Sequence, residues 1–190
     1  MGTIADEVKK CIEVMRAGGV ILYPTDTVWG IGCDATNADA VKKVFEIKRR
    51  CDSKAMLLLV DSADRLARYV GAVPAVAWDL IELSDKPLTI IYDGARNLAP
   101  NLIAEDGSVG IRVTNELFSK ELCYRFQKAV VSTSANISGE ETPNNFSEIS
   151  PEIIDAVDYV VNYKQLEKGK AKSSSIIKLK ENGTVTIIRQ

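Results

Sequence analysis

The residues that could do chemistry sit where apolar runs end. Ala129-Val130-Val131 opens directly into Ser132-Thr133-Ser134-Ala135-Asn136-Ile137-Ser138-Gly139. Hydroxyls, an amide and closely spaced backbone donors can surround a phosphate or a carboxylate. A pair of Ser/Thr turns uses the same residues, but the density of donors after a buried strand favours a ligand. Gly19-Val20-Ile21-Leu22-Tyr23 runs likewise into Pro24-Thr25-Asp26-Thr27-Val28-Trp29-Gly30-Ile31-Gly32. Here Thr25 and Thr27 offer hydroxyls to a polar ligand, and the glycines let backbone come close to it. A tight turn with capping hydroxyls explains Thr-Asp-Thr equally well, and Trp29 by itself reads as packing.

Cations form the second ingredient. Lys48-Arg49-Arg50, with Lys54 beyond, follow a helical stripe. Arginine presents a planar fork suited to phosphate or carboxylate, and lysine a compact charge. Favourable interaction with a helix C-terminus would account for the same cluster. Ser108-Val109-Gly110-Ile111-Arg112 puts an arginine among apolar strand neighbours, where a charge requires a buried partner or a ligand. Lys86-Pro87-Leu88-Thr89 enters another strand and needs no explanation beyond that. The stretch 170–175 is basic and hydroxyl-rich, and fits either a solvent-exposed loop or a lid.

The 190 residues contain no histidine. That removes Ser-His-Asp and Cys-His catalysis and any histidine-ligated zinc site, and no metal site is expected. The four cysteines, Cys11, Cys33, Cys51 and Cys123, lack metal-type spacing. Apolar residues make up 46% and charged residues 26%, a balance suited to one globular domain over 1–190. No apolar run is long enough to cross a bilayer, and the first ten residues lack a signal-type apolar centre. A cytosolic protein is expected. The net charge of −2 argues against coating long nucleic acid through phosphate contacts alone. The local excess of cations from Lys42 to Lys54 points instead to a small anion.

These residues need elements to hold them. Thr3 and Asp6 predict a capped first helix with Ile4, Val8, Ile12 and Met15 on its apolar stripe, ended by Gly18-Gly19. Asn37 predicts the cap of a second helix, on which Val41, Val44, Phe45 and Lys48 share neighbouring positions. Strands are expected at 20–23, 56–60, 88–92, 109–113, 129–131 and 159–162, with helical stretches at 63–70, 75–83 and 116–126. Glu181-Asn182-Gly183 predicts a hairpin between strands at 175–179 and 185–189. The order implies an α/β fold with a mixed, twisted sheet.

Taken in order, 19–35, Lys48-Arg49-Arg50, 86–89, 109–112 and 134–139 resemble the YrdC-like family of threonylcarbamoyl-AMP synthases. The resemblance implies a twisted open mixed sheet with flanking helices and a large, positively lined cavity. It also implies the reaction of L-threonine, bicarbonate and ATP to L-threonylcarbamoyl-AMP and pyrophosphate. Magnesium is carried by the nucleotide, and the product passes to a threonylcarbamoyl transferase acting on tRNA. Carried over position by position, Lys48 and Arg50 are the catalytic cations. Thr27, Arg112 and Ser132 meet threonine. Arg50, Lys54, Ser108, Ser134, Asn136, Thr142, Ser174 and Arg189 meet ATP. The chain differs from the family pattern at Cys51, Trp29 and Leu59, where proline, tyrosine and often histidine stand. It also differs at Ser84-Asp85, before Pro87. The main alternative is a factor of the same fold that binds double-stranded RNA or tRNA without synthase activity, and a third reading is an adenylating enzyme for another substrate.

Overall fold

The computed structural model describes residues 3–50, 56–169 and 173–190. Lys54, Cys51 and part of the 170–175 stretch therefore lie outside the described residues.

Helix α1 (Ile4–Arg16) begins where expected: Thr3 and Asp6 form a reciprocal capping box, and Val8, Cys11, Ile12 and Met15 are buried. Gly18 ends it with φ +77°. Strands β1 (Ile21–Tyr23) and β2 (Gly30–Gly32) then bracket the Thr-Asp-Thr loop. The sequence reading contained no strand at 30–32, because Gly-Ile-Gly carries little strand signal. The pairing has a steric reason: a Cβ at Gly32 would stand 2.4 Å from the Val131 carbonyl oxygen and 2.6 Å from Tyr23 Cε1.

Helix α2 (Ala38–Ile47) is capped by Asn37, whose side chain accepts from Asp39 and Ala40. There follow β3 (Leu57–Val60), the short α3 (Leu66–Tyr69), α4 (Ala75–Glu82), β4 (Leu88–Tyr92) and β5 (Val109–Val113). Next come α5 (Leu117–Phe126), β6 (Val130–Ser134), α6 (Pro151–Ala156), β7 (Tyr159–Val160), β8 (Ser175–Leu179) and β9 (Val185–Arg189). The helical stretch expected at 63–70 is a 3₁₀ turn leading into α3, and α6 had not been anticipated.

Among the described residues the strands form one mixed nine-stranded sheet in the order β7-β1-β2-β6-β3-β5-β4-β8-β9. The pairs β1–β7, β3–β5 and β4–β8 are parallel and the others antiparallel. Helix α1 packs on α5, and α5 on β3. Strand alternation gives β5 two faces: Val109 and Ile111 enter the core, whereas Gly110 and Arg112 share the other side. Register carries that side across the sheet. Arg112 lies opposite Thr89, Thr89 opposite Ile176, and Ile176 opposite Arg189. One row along, Leu57 lies opposite both Ser132 and Gly110.

Candidate active site

That face forms the floor of a cavity of about 680 Å³. Thr27, Arg50, Arg112, Ser132 and Ser134 line it, from four separate parts of the chain. Ser108, Thr142, Ser174 and Arg189 complete the set of expected ligand contacts found there.

Strand β6 extends to Ser134, further than the expected end at Val131. The hydroxyl run is therefore partly strand. Alternation turns Ser132 and Ser134 to one face, while Thr133 lies opposite Ile31. Beyond β6 the chain is fixed from behind. The buried Lys48 ammonium donates to the carbonyls of Ser134 (2.6 Å) and Asn136 (2.7 Å), and the Lys48 carbonyl accepts from Ser138 N at 2.9 Å. Burial first, and then the neighbouring Arg50, pull the Lys48 pKa down to about 8. Asn136 donates to the carbonyls of Ile137 and Glu140 and closes its own loop.

Neither Lys48 nor Asn136 is among the residues lining the cavity. Both were expected at the nucleotide; in the structure they stand beside the Ser134–Ser138 loop, Lys48 bonded to its carbonyls and Asn136 within it. Lys48 occupies the buried stripe of α2 along with Val41, Val44 and Phe45, which turns its side chain behind the loop.

The three consecutive cations diverge because the end of α2 turns sharply. Arg49 adopts φ +48°; its N–H bonds Glu46 O, and Arg50 N–H bonds Phe45 O at 3.0 Å. This is a helix-terminating motif with a left-handed residue where glycine is usual. It sends Lys48 inward, Arg49 outward to Glu152 and Arg50 into the cavity.

Arg112 meets the condition set by its apolar neighbours. Its side chain is 2% exposed and lies 2.9 Å from Asp26 Oδ1, and Nη2 donates to Thr27 Oγ1 at 3.3 Å. Its Nε has no hydrogen-bond partner among the described residues. Burial lowers the guanidinium pKa and raises that of Asp26, while each partner opposes the shift of the other. Asp26 was not singled out from sequence as a partner, although a carboxylate between two threonines after a strand was its signal.

The Thr-Asp-Thr loop divides its work. Thr25 Oγ1 donates to Val28 O at 2.7 Å and accepts from Thr27 N, the turn-capping role. Thr27 faces the cavity. Trp29 is buried beside Phe146, with ring centroids 4.9 Å apart, which is packing.

On the far side Arg189 donates twice to Ser174 O (3.0 and 2.8 Å), and Ser174 Oγ pairs with Thr89 Oγ1 at 2.9 Å. Register sets Arg189 in the row of Arg112. Thr89, read from sequence only as part of a strand entry, and Asp106 and Lys178, to which no role was given, are all in the lining. For Lys178 the signal was period two along β8, which puts Ile176 and Lys178 on the same side. Among the described residues no group of three or more His, Cys, Asp or Glu could hold a metal ion. Cys11, Cys33 and Cys123 are buried and free. No helix there is long and apolar enough to cross a membrane.

A large mixed sheet with flanking helices is the fold of the Sua5 and YciO structures. The chain belongs to the Sua5/YciO/YrdC family: its model, described as "Telomere recombination", matches residues 13–190. A protein of Pseudoalteromonas translucida named threonylcarbamoyl-AMP synthase is 34% identical over 154 residues, covering 80% of this chain and 82% of that one. The fold is similar to E. coli YciO, with a TM-score of 0.84 at 24% identity over all of this chain and 91% of that one. It is also similar to P. abyssi Sua5 complexed with L-threonine, with a TM-score of 0.80 at 21% identity over 90% of this chain. This chain spans 50% of that protein's length.

Proposed function

We propose that residues 1–190 act as one catalytic unit that makes L-threonylcarbamoyl-AMP from L-threonine, bicarbonate and ATP, releasing pyrophosphate. A transferase acting on tRNA would consume the product. The observation that carries this reading is the meeting of Arg50, Arg112 and Ser134, from three distant segments, around one cavity large enough for an amino acid beside a nucleotide. The named relatives support the same reaction.

In this reading Arg112, steadied by Asp26, holds the threonine carboxylate, and Thr27 and Ser132 complete that end. The amine then lies free to take up carbon dioxide derived from bicarbonate. The resulting N-carboxylate attacks the α-phosphorus, the bond to the bridging oxygen breaks, and pyrophosphate leaves. Such chemistry depends on positioning and charge stabilisation more than on a strong base. A chain without histidine suits it. Arg50 faces the charge developing on the phosphates, with Ser134 and Thr142 beside it, and Lys48 holds the Ser134–Ser138 loop in place from behind. Ser108, Ser174 and Arg189 line the remaining wall; Lys54 is assigned to ATP by resemblance alone. Magnesium carried by the nucleotide would supply further neutralisation of the charge on the leaving pyrophosphate.

The test is to mix the pure protein with ATP, magnesium, bicarbonate and threonine and to follow pyrophosphate. Release that depends on threonine and falls sharply in Arg50→Ala supports the reading. ATP-independent RNA binding with steep salt dependence, and no pyrophosphate, would favour the RNA-binding alternative instead.

A further inference from the structure

The two edges of the sheet differ. Strand β7 is two residues long and half-buried, too short to offer another strand a template. Strand β9 is five residues long and exposed throughout, and among the described residues it pairs with β8 alone. No charge stands between Asn182 and Ile188. Exposed edges are ordinarily blunted by lysine, proline or shortness. This one instead carries Val185, Ile187 and Ile188, which are 44%, 61% and 56% exposed.

Register shows what such an edge would complete. Val185 lies opposite Leu179 and Ile187 opposite Ile177, and both β8 residues are buried. Residues opposite one another share a face of the sheet. Val185 and Ile187 therefore carry the buried row of β8 one strand further, into water. Thr186, between them, lies opposite Lys178, on the cavity side. The segment is symmetric about Thr186, with one apolar β-branched residue on each side of it. An antiparallel strand of that kind is its own complement. A two-fold axis at Thr186 sets Val185 of each copy opposite Ile187 of the other. All four side chains then share one face, and the apolar row runs unbroken from one molecule into the next. The irregularity in the β8–β9 ladder falls at Ile188, beyond this segment. Any strand could satisfy the exposed backbone, but the symmetry, with no charge to select a foreign partner, favours a second copy.

We propose that β9 is a self-association edge, on which a second copy of this chain pairs antiparallel about Thr186 and extends the sheet across a two-fold axis. Lys178 and Arg189 of the same hairpin line the cavity, so the interface braces one of its walls. Five residues span about 17 Å, and a strand pair of that length covers less than the roughly 1,200 Å² of a stable interface. The dimer is therefore weak and reversible, and forms on concentration.

Sedimentation of the full chain over a concentration series should show a monomer–dimer equilibrium. Val185→Lys and Ile187→Lys, both at exposed positions, should raise the dimer dissociation constant about tenfold or more, since each removes an apolar pair twice. The melting temperature of the dilute monomer should not change. Cross-linking tests the register. At the axis the two copies of residue 186 have Cα atoms about 5 Å apart, a separation that a disulfide spans. Mild oxidation should link Thr186→Cys into a covalent dimer, above the background set by the wild-type cysteines. Thr184→Cys, which faces Ile188 of the other copy, should not link. Selective linkage at 186 supports the inference even where a lysine variant fails to fold. A chain that stays monomeric at every concentration would overturn it. So would a dimer untouched by both lysine variants, or equal linkage at 184 and 186.

Discussion

Arg112 and Lys48 are both buried cations, and they serve the site in different ways. Arg112 is a buried cation with a built-in counterion and an Nε without a hydrogen-bond partner among the described residues, which suits a planar carboxylate. Arg112→Lys removes the fork but keeps the charge. It should weaken threonine binding by about tenfold or more and ATP binding much less, as measured by calorimetry; equal losses for both ligands would count against the assignment. Lys48 is held by carbonyls rather than by a carboxylate. Its folded pKa of about 8 lies below the usual lysine value of 10.5, so between those values the unfolded chain holds the extra proton. The stability contributed by this group therefore rises with pH across that window and is lost as pH falls through about 8. Urea midpoints followed from pH 7 to 10 should show the rise in the wild type and lack it in Lys48→Met. The same variant should be about 1–3 kcal/mol less stable at pH 9, because two half-buried carbonyls lose their donor.

At the scale of elements, two junctions fix the geometry. The first is the end of α2, where Arg49 takes a left-handed conformation that costs a non-glycine residue about 1 kcal/mol. Arg49→Gly and Arg49→Ala both lose the Glu152 contact, so comparing them isolates the backbone. The glycine variant should melt about 2–4 °C higher than the alanine variant. Identical melting would mean that the turn is not strained. The second junction is the β2–β6 contact at Gly32. Gly32→Ala drives a methyl into the Val131 carbonyl and the Tyr23 ring and should cost about 2–3 kcal/mol. Gly139 has φ +94° but nothing within 4 Å of an added Cβ. A Gly139→Ala control thus reports backbone strain without the clash.

For the whole molecule, ligands that bind only the folded chain must stabilise it. ATP at about 100 times its dissociation constant should add about 2.7 kcal/mol, a rise in melting temperature of several degrees. Threonine should add to this, and the threonine increment should vanish in Arg112→Ala while the ATP increment remains. Much of this organisation was legible in the sequence. The capping box at Thr3, the Asn37 cap, the hairpin at Asn182-Gly183 and the apolar stripes are local, and local signals survive any tertiary arrangement. The absence of histidine and the hydroxyl and cation segments restricted the chemistry before any fold was known. Sequence did not show that Gly30–Gly32 is a strand, because its partners β1 and β6 lie far apart in the chain and it is their close approach that requires glycine. Nor did it show that Lys48 turns behind the loop while Arg50 enters the cavity, since one left-handed residue separates them. The pairing of Arg112 with Asp26, and of Lys178 with Asp106, joins positions 86 and 72 residues apart. Residue types fixed which chemistry was available, and sheet register alone decided which of those groups share a surface, because hydrogen-bonded strands impose neighbours that no local pattern encodes.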